Sequence, residues 1–357
     1  GNYITHGRTR VLLEDGAAGN IIENNIMTLN YHGYDNPGAW GIRTTSLAKT
    51  RCHIYQEFKH TVGPNGSDDH GVEVRRAGAG NIVRDNRIKG GLIGVHVRTT
   101  PRLQVSRNII SNMSSIGICT SRGTNEAIFN NNLVYDCNIN LRIHHFNELD
   151  SNLKRKEYYY RNIFYFPEKT SGCNLFVHLI PANSPNQIKN LDDEPEIFFY
   201  HNTLVGGVGL QQATEMKKTV LLNNIFSYSP EFVITRYKKR RGQPELFEVM
   251  DHNLMVAPEG FPDREYPKWL GKNNIYVTAP LKWEADRFFE ISGNSIYREK
   301  GIDLSKKFIF NGKEYEPFPG MEPGYFKGEK PDIGALQYGE KAGSWFTREL
   351  RESNSLP

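Results

Sequence analysis

Two short rows of side chains hold the residue types that could do chemistry. The segments Gly41–Thr45 (GIRTT), Gly71–Arg75 (GVEVR), Gly94–Arg98 (GVHVR), Gly117–Ser121 (GICTS), Asn140–His144 (NLRIH) and Asn174–His178 (NLFVH) alternate with a period of two. That period is the mark of a β-strand with one buried face. It assigns Arg43, Glu73, His96, Cys119, Arg142 and Phe176 to one outward row. Thr45, Arg75, Arg98, Ser121, His144 and His178 form the next. Stacked strands lie about 4.8 Å apart, so Arg75 would neighbour Arg98, and Glu73 would neighbour His96. Like charges side by side are unfavourable unless something offsets them, and an anionic ligand would do so.

A groove lined in this way suits an acidic sugar chain. To cleave a uronate by β-elimination, a protein removes the proton α to the carboxylate and expels the oxygen at the β position. The carboxylate must be neutralised, and a base must sit beside C5. The rows offer Arg75, Arg98 and Arg142 for the first task, and Lys49, His96 or His144 for the second. The expected catalytic set is therefore Lys49, Arg75, His96, Arg98 and His144. Arg43, Glu73, Arg76, Arg142 and His178 are expected to bind substrate.

A second constellation competes. Ser67–Gly71 (SDDHG) leads an acidic cluster into the Glu73 strand, and paired carboxylates can hydrolyse a glycosidic bond as acid and base. Asp68, Asp69 and Glu73 would also suit calcium, which takes oxygen ligands; calcium is the one cofactor this reading admits. Tyr158–Tyr160 and Tyr31–Tyr34 are read as insertions between turns whose rings either stack on sugars or pack in the core or a loop, and Lys238–Arg241 as a solvated basic loop.

The elements that position these residues come from a repeat. Asn, any residue, then an apolar one recurs at Asn2, Asn25, Asn86, Asn108, Asn132, Asn162, Asn202, Asn224, Asn253 and Asn274. The commonest spacing is about 22 residues, as in a solenoid. The 61-residue gap between Asn25 and Asn86 is expected to hide one further coil, Arg51–Phe58, with Glu57 at the asparagine position, giving eleven. Coils this short leave no room for a helix. The expected fold is all-β: a right-handed parallel β-helix with a single-stranded solenoid path. Its asparagines would stack at a bend and satisfy the backbone groups exposed there. Coils are assigned to residues 1–280. Residues 281–357, rich in Pro, Gly, Lys and aromatics, are assigned to a segment covering the open end. The opening Gly1–Ile4 reads as the middle of a repeat, so a leader and more N-terminal structure are expected before it.

Turns such as Gly19–Ile26 (GNIIENNI) and Asn81–Ile88 (NIVRDNRI) resemble the pectate-lyase-like superfamily of parallel β-helices, and Pro331–Gly339 (PDIGALQYG) resembles the closing motif of many secreted bacterial members. The superfamily holds lyases, hydrolases, epimerases and adhesins, so the likeness implies fold more than activity. Lys49–Arg76 distantly resembles the alginate and dermatan lyases of this class. There it implies Lys49 as base and Arg75 or Arg76 as acid. Arg43, Thr44 and Thr45 stand where the acidic calcium ligands of those enzymes would be, which implies a calcium-independent site.

Composition narrows the field. A net charge of +4, with 44 Lys+Arg against 40 Asp+Glu, permits an anionic partner without requiring one. Four scattered cysteines signal neither a zinc ribbon nor a disulfide framework. No apolar run approaches a membrane span, and no nucleic-acid-binding motif is present. The combined expectation is a secreted, periplasmic or cell-surface polysaccharide lyase. The alternatives are a β-helix glycoside hydrolase and a non-catalytic polysaccharide-binding or adhesin solenoid.

Overall fold

The computed structural model describes residues 2–5, 9–29, 70–113, 115–121, 124–145, 155–166, 173–179, 195–206, 208–212, 216–227, 234–236, 247–256, 271–277 and 290–341. Among them every regular element is a strand. One coil shows the rule. Ile82–Arg84, Arg87–Gly90 and Ile93–Arg98 follow one another and belong to three different sheets. Each pairs in parallel with its counterpart one coil later, as in Ile82↔Gln104, Arg87↔Ile109 and Ile93↔Ile116. Repetition builds parallel sheets of ten, eight and eight strands. The chain is a parallel β-helix.

The bend between Ile82–Arg84 and Arg87–Gly90, and its counterpart in each coil, is set by the predicted asparagines. Asn86 donates through Nδ2 to Asn108 Oδ1 (3.0 Å), Asn108 to Asn132 (3.0 Å) and Asn132 to Asn162 (2.9 Å). The ladder runs unbroken from Asn2 to Asn274. Each side-chain oxygen also accepts the backbone N–H of the asparagine before it, as Asn132 Oδ1 does from Asn108 N (3.0 Å). The residue ahead of each ladder position from Asn25 to Asn253 lies in the left-handed region, from Asn24 (φ 58°) to His252 (φ 53°). L-residues resist that conformation, and the ladder's buried hydrogen bonds hold it.

The ladder also corrects the coil count. Asn25 donates to Asn86 at 2.9 Å, and Thr9 pairs with His70 and Ile21 with Ile82. Asn25 and Asn86 are thus adjacent rungs with no rung between them, where the sequence had suggested Glu57, which lies outside the described residues. A carboxylate in this column of buried amides would have lost hydration without gaining a donor in place of Asn Nδ2. The register moves Arg43 and Thr45 too: Leu12 pairs with Glu73 and Glu14 with Arg75, so the places expected for Arg43 and Thr45 belong to Leu12 and Glu14. Arg43 itself lies outside the described residues.

Inward columns fill the interior. Val72, Val95, Ile118 and Leu141 are in register, as are Val74, Val97, Thr120 and Ile143, all at most 1% exposed. Each fully buried aliphatic contributes roughly 1.5–3 kcal/mol. Gly71, Gly94 and Gly117 sit where the chain enters this sheet. A Cβ on Gly94 would lie 2.4 Å from Ile110 Cγ2 and 2.6 Å from the Gly117 carbonyl oxygen. The constraint is close approach, not positive φ. Gly94→Ala is therefore expected to destabilise the protein by roughly 1–3 kcal/mol, read as a lower midpoint in thermal denaturation. An unchanged midpoint would mean that the backbone can move aside.

Residues 290–341 run along the flank of the coils. Ala335 and Leu336 pack on Ile109, Leu133, Ile163 and Val205 of the ten-stranded sheet. Tyr315, Phe318 and Met321 pack on Tyr160, Phe198 and Tyr200. Tyr158 and Tyr160 belong to the strand Lys156–Tyr160, not to an insertion, and follow the packing alternative, stacking on Phe198 and Tyr200. Tyr159 is wholly buried in the core. Tyr31 and Tyr34 and the Lys238–Arg241 loop lie outside the described residues.

Candidate functional site

The remaining eight-stranded sheet carries the expected rows. Its strands include Thr9–Glu14, His70–Arg75, Ile93–Arg98, Ile116–Ser121, Ile139–His145 and Cys173–Leu179. The register places Glu73, His96, Cys119, Arg142 and Phe176 side by side, with Arg75, Arg98, Ser121, His144 and His178 as the next row. Both rows match the alternation. For His144, Phe176 and His178 the placement is one of backbone register.

Within the rows one cluster stands apart because it is polar and buried. Glu73 is 6% exposed, His96 5% and Ser121 6%, and His70 is fully buried. Burying charged and polar groups is unfavourable unless they are paired, and here they pair with one another. His70 Nδ1 lies 3.1 Å from Glu73 Oε2. Arg98 Nε is 3.5 Å from Glu73 Oε1 and donates to His96 Nε2 at 3.1 Å. His96 Nε2 is also 3.0 Å from Ser121 Oγ. The His70 and His96 rings meet edge to face, with centroids 4.8 Å apart.

His70 is the functional candidate that the alternation misses. Strict alternation turns it inward, away from Glu73. The pairing runs His70↔Ile93 and then Val72↔Val95, skipping Gly71. A Cβ on Gly71 would lie 2.6 Å from Ile88 in the core, so Gly71 faces inward. The phase slips at the glycine and brings His70 back to Glu73. The usable signal was the glycine beginning the strand, since glycine within a strand pattern marks such irregularities.

The charges balance differently from the expectation of an arginine row awaiting an anion. Arg75 and Arg98 are neighbours, but Arg75 is paired with Glu14 and Arg98 with Glu73. Hydrogen bonding from Arg75 holds the Glu14 carboxyl below its usual value. Arg76, expected to bind substrate, lies past the strand end with positive φ and pairs with Glu14 (3.2 Å) and Asp15 (3.0 Å). Arg142 is on the face and buried, beside Cys119. Lys49, Asp68 and Asp69 lie outside the described residues.

Burial alone would raise the Glu73 carboxyl, but the hydrogen bond and charge of His70, with Arg98 and Arg75 nearby, hold it below 4.5. A carboxylate with a depressed folded value stabilises the fold fully above its unfolded value, and that share is lost as pH falls through the folded one. Melting temperatures of the native protein and of Glu73→Gln are thus expected to differ near neutrality and to converge on acidification below 4.5. A difference independent of pH would mean that Glu73 is not held as an ion.

No known family model matches the chain, and no curated protein does. Among solved structures, one described as the complex structure of XylC with xylose matches at 12% identity with a TM-score of 0.34, covering 76% of this chain and 38% of that one. The chain thus spans well under half the length of that protein.

Proposed function

We propose that this β-helix is a polysaccharide lyase that cleaves an acidic polysaccharide by β-elimination at the His70–Glu73–His96–Arg98 cluster. The observation that carries this reading is the contact between His96 and Arg98. Arg98 lies against the His96 ring, its Nε 3.1 Å from Nε2 and its Nη2 3.3 Å from Nδ1, and because a guanidinium only donates, a neutral imidazole presenting one lone pair to it fits beside it. A base therefore lies beside the cation that would neutralise the uronate carboxylate. His96 takes the C5 proton, the C–H pair becomes the C4–C5 double bond, and the C4–O bond breaks. The leaving oxygen then takes up a proton. Arg98 would turn from Glu73 to the substrate carboxylate, with Arg142 extending the positive face, while Glu73 keeps His70 oriented. Such a substrate agrees with a secreted, periplasmic or surface location.

Inverting hydrolysis is less well supported. It needs a protonated carboxyl as acid, whereas Glu73 is held ionised and Glu14 is tied to Arg75 and Arg76. The test is incubation with a panel of uronate polysaccharides, following ultraviolet absorbance and reducing ends together. Both rising is the expected result. Reducing ends without absorbance would favour hydrolysis, and silence in both would favour a binding role.

A further inference from the structure

The same cluster has a second chemical capacity, for a metal. One donor atom each from His70, Glu73 and His96 lies within 4.8 Å of the others, and all three residues are buried. Two imidazoles and one carboxylate, brought from adjacent coils by sheet register, form a mixed nitrogen–oxygen donor set. We propose that His70, Glu73 and His96 bind a divalent transition metal such as zinc or cobalt, and that the bound metal blocks the elimination.

Donor chemistry excludes calcium here. Calcium selects six to eight oxygens, whereas imidazole suits zinc and its neighbours. Zinc–nitrogen bonds of about 2.0–2.1 Å in a tetrahedral site require donors within about 3.5 Å of each other. Closure of on the order of 1 Å from the present spacing suffices, a shift that rotation about side-chain torsions provides. Arg98 is the competing cation. It lies 3.5 Å from Glu73 Oε1 and 3.1 Å from His96 Nε2, so it must withdraw as a metal enters. Bound metal takes the same imidazole lone pair that proton abstraction uses. Metal binding stands apart from the proposed reaction; only the inhibition rests on the lyase reading.

The test is cobalt titration of the chelator-treated, full-length protein, followed by visible absorption, with zinc and calcium as competitors. One cobalt per chain is expected, displaced by zinc and not by excess calcium. Affinity should fall at least tenfold in His70→Ala and in His96→Ala, with far-ultraviolet circular dichroism confirming that each variant is folded. Glu73→Gln, close in shape to the native residue, guards against misfolding and should weaken binding similarly. Arg98→Ala should bind cobalt at least as well as the native protein. No binding, or binding retained in both histidine variants, would overturn the site. Lyase activity that zinc abolishes and chelator restores would support the blocking role, and activity undiminished at saturating zinc would overturn it. Cobalt binding in a protein that cleaves no uronate would support the site while contradicting the lyase reading.

Discussion

Replacing His96 with alanine is expected to lower turnover of an acidic polysaccharide by roughly 10²–10⁴-fold, the usual contribution of a positioned general base. The loss should fall on kcat and on kcat/KM alike, because proton abstraction belongs to the transition state. Arg98→Ala should behave differently. Its guanidinium neutralises a carboxylate already present in the ground state, so KM should rise as well as kcat fall. Steady-state kinetics on whichever uronate polymer is cleaved reads both effects. Activity within a few-fold of native in His96→Ala would remove His96 from the chemistry, whatever becomes of the fold.

The second large effect concerns stability. Asn132→Ala should destabilise the protein by on the order of 4 kcal/mol, because several buried groups lose partners at once. Asn132 Oδ1 accepts from the backbone and side chain of Asn108, and its Nδ2 donates to Val105 O and to Asn162 Oδ1. The Asn108 N–H and the Val105 carbonyl would be left in a dry interior. Asn2 makes the same kind of contact at the first described coil, where it is exposed and water can replace the amide. Asn2→Ala should therefore cost less than about 1 kcal/mol. Thermal and urea denaturation of the two variants would show the contrast. Equal losses would mean that the ladder is not the principal clamp of the bend.

The asparagine pattern was legible because a solenoid repeats one local solution, and each copy must satisfy the same backbone groups. Alternation was legible for the same reason: Val72, Val74, Val95 and Val97 face a dry interior that tolerates little else. Two things could not be read. The residues between Asn25 and Asn86 contain a stretch with the local pattern of a coil, but whether it stacks depends on the contact of Asn25 with Asn86 across 61 positions, which no local pattern encodes. His70 was hidden by a phase slip at Gly71, itself a consequence of close packing against Ile88. The arginine row was read correctly in register and wrongly in charge, because Glu14 comes from a strand the alternation had not included. In each case a long-range contact decided the outcome.

The most direct test of the lyase reading is the mass of the new non-reducing ends released from a uronate polymer by the native protein. Elimination leaves an unsaturated uronate, lighter by one water than the hydrolytic product. Unsaturated ends formed by the native protein and lost in His96→Ala are the expected result. Saturated, hydrated ends, or unsaturated ends formed equally by both proteins, would contradict His96-dependent β-elimination.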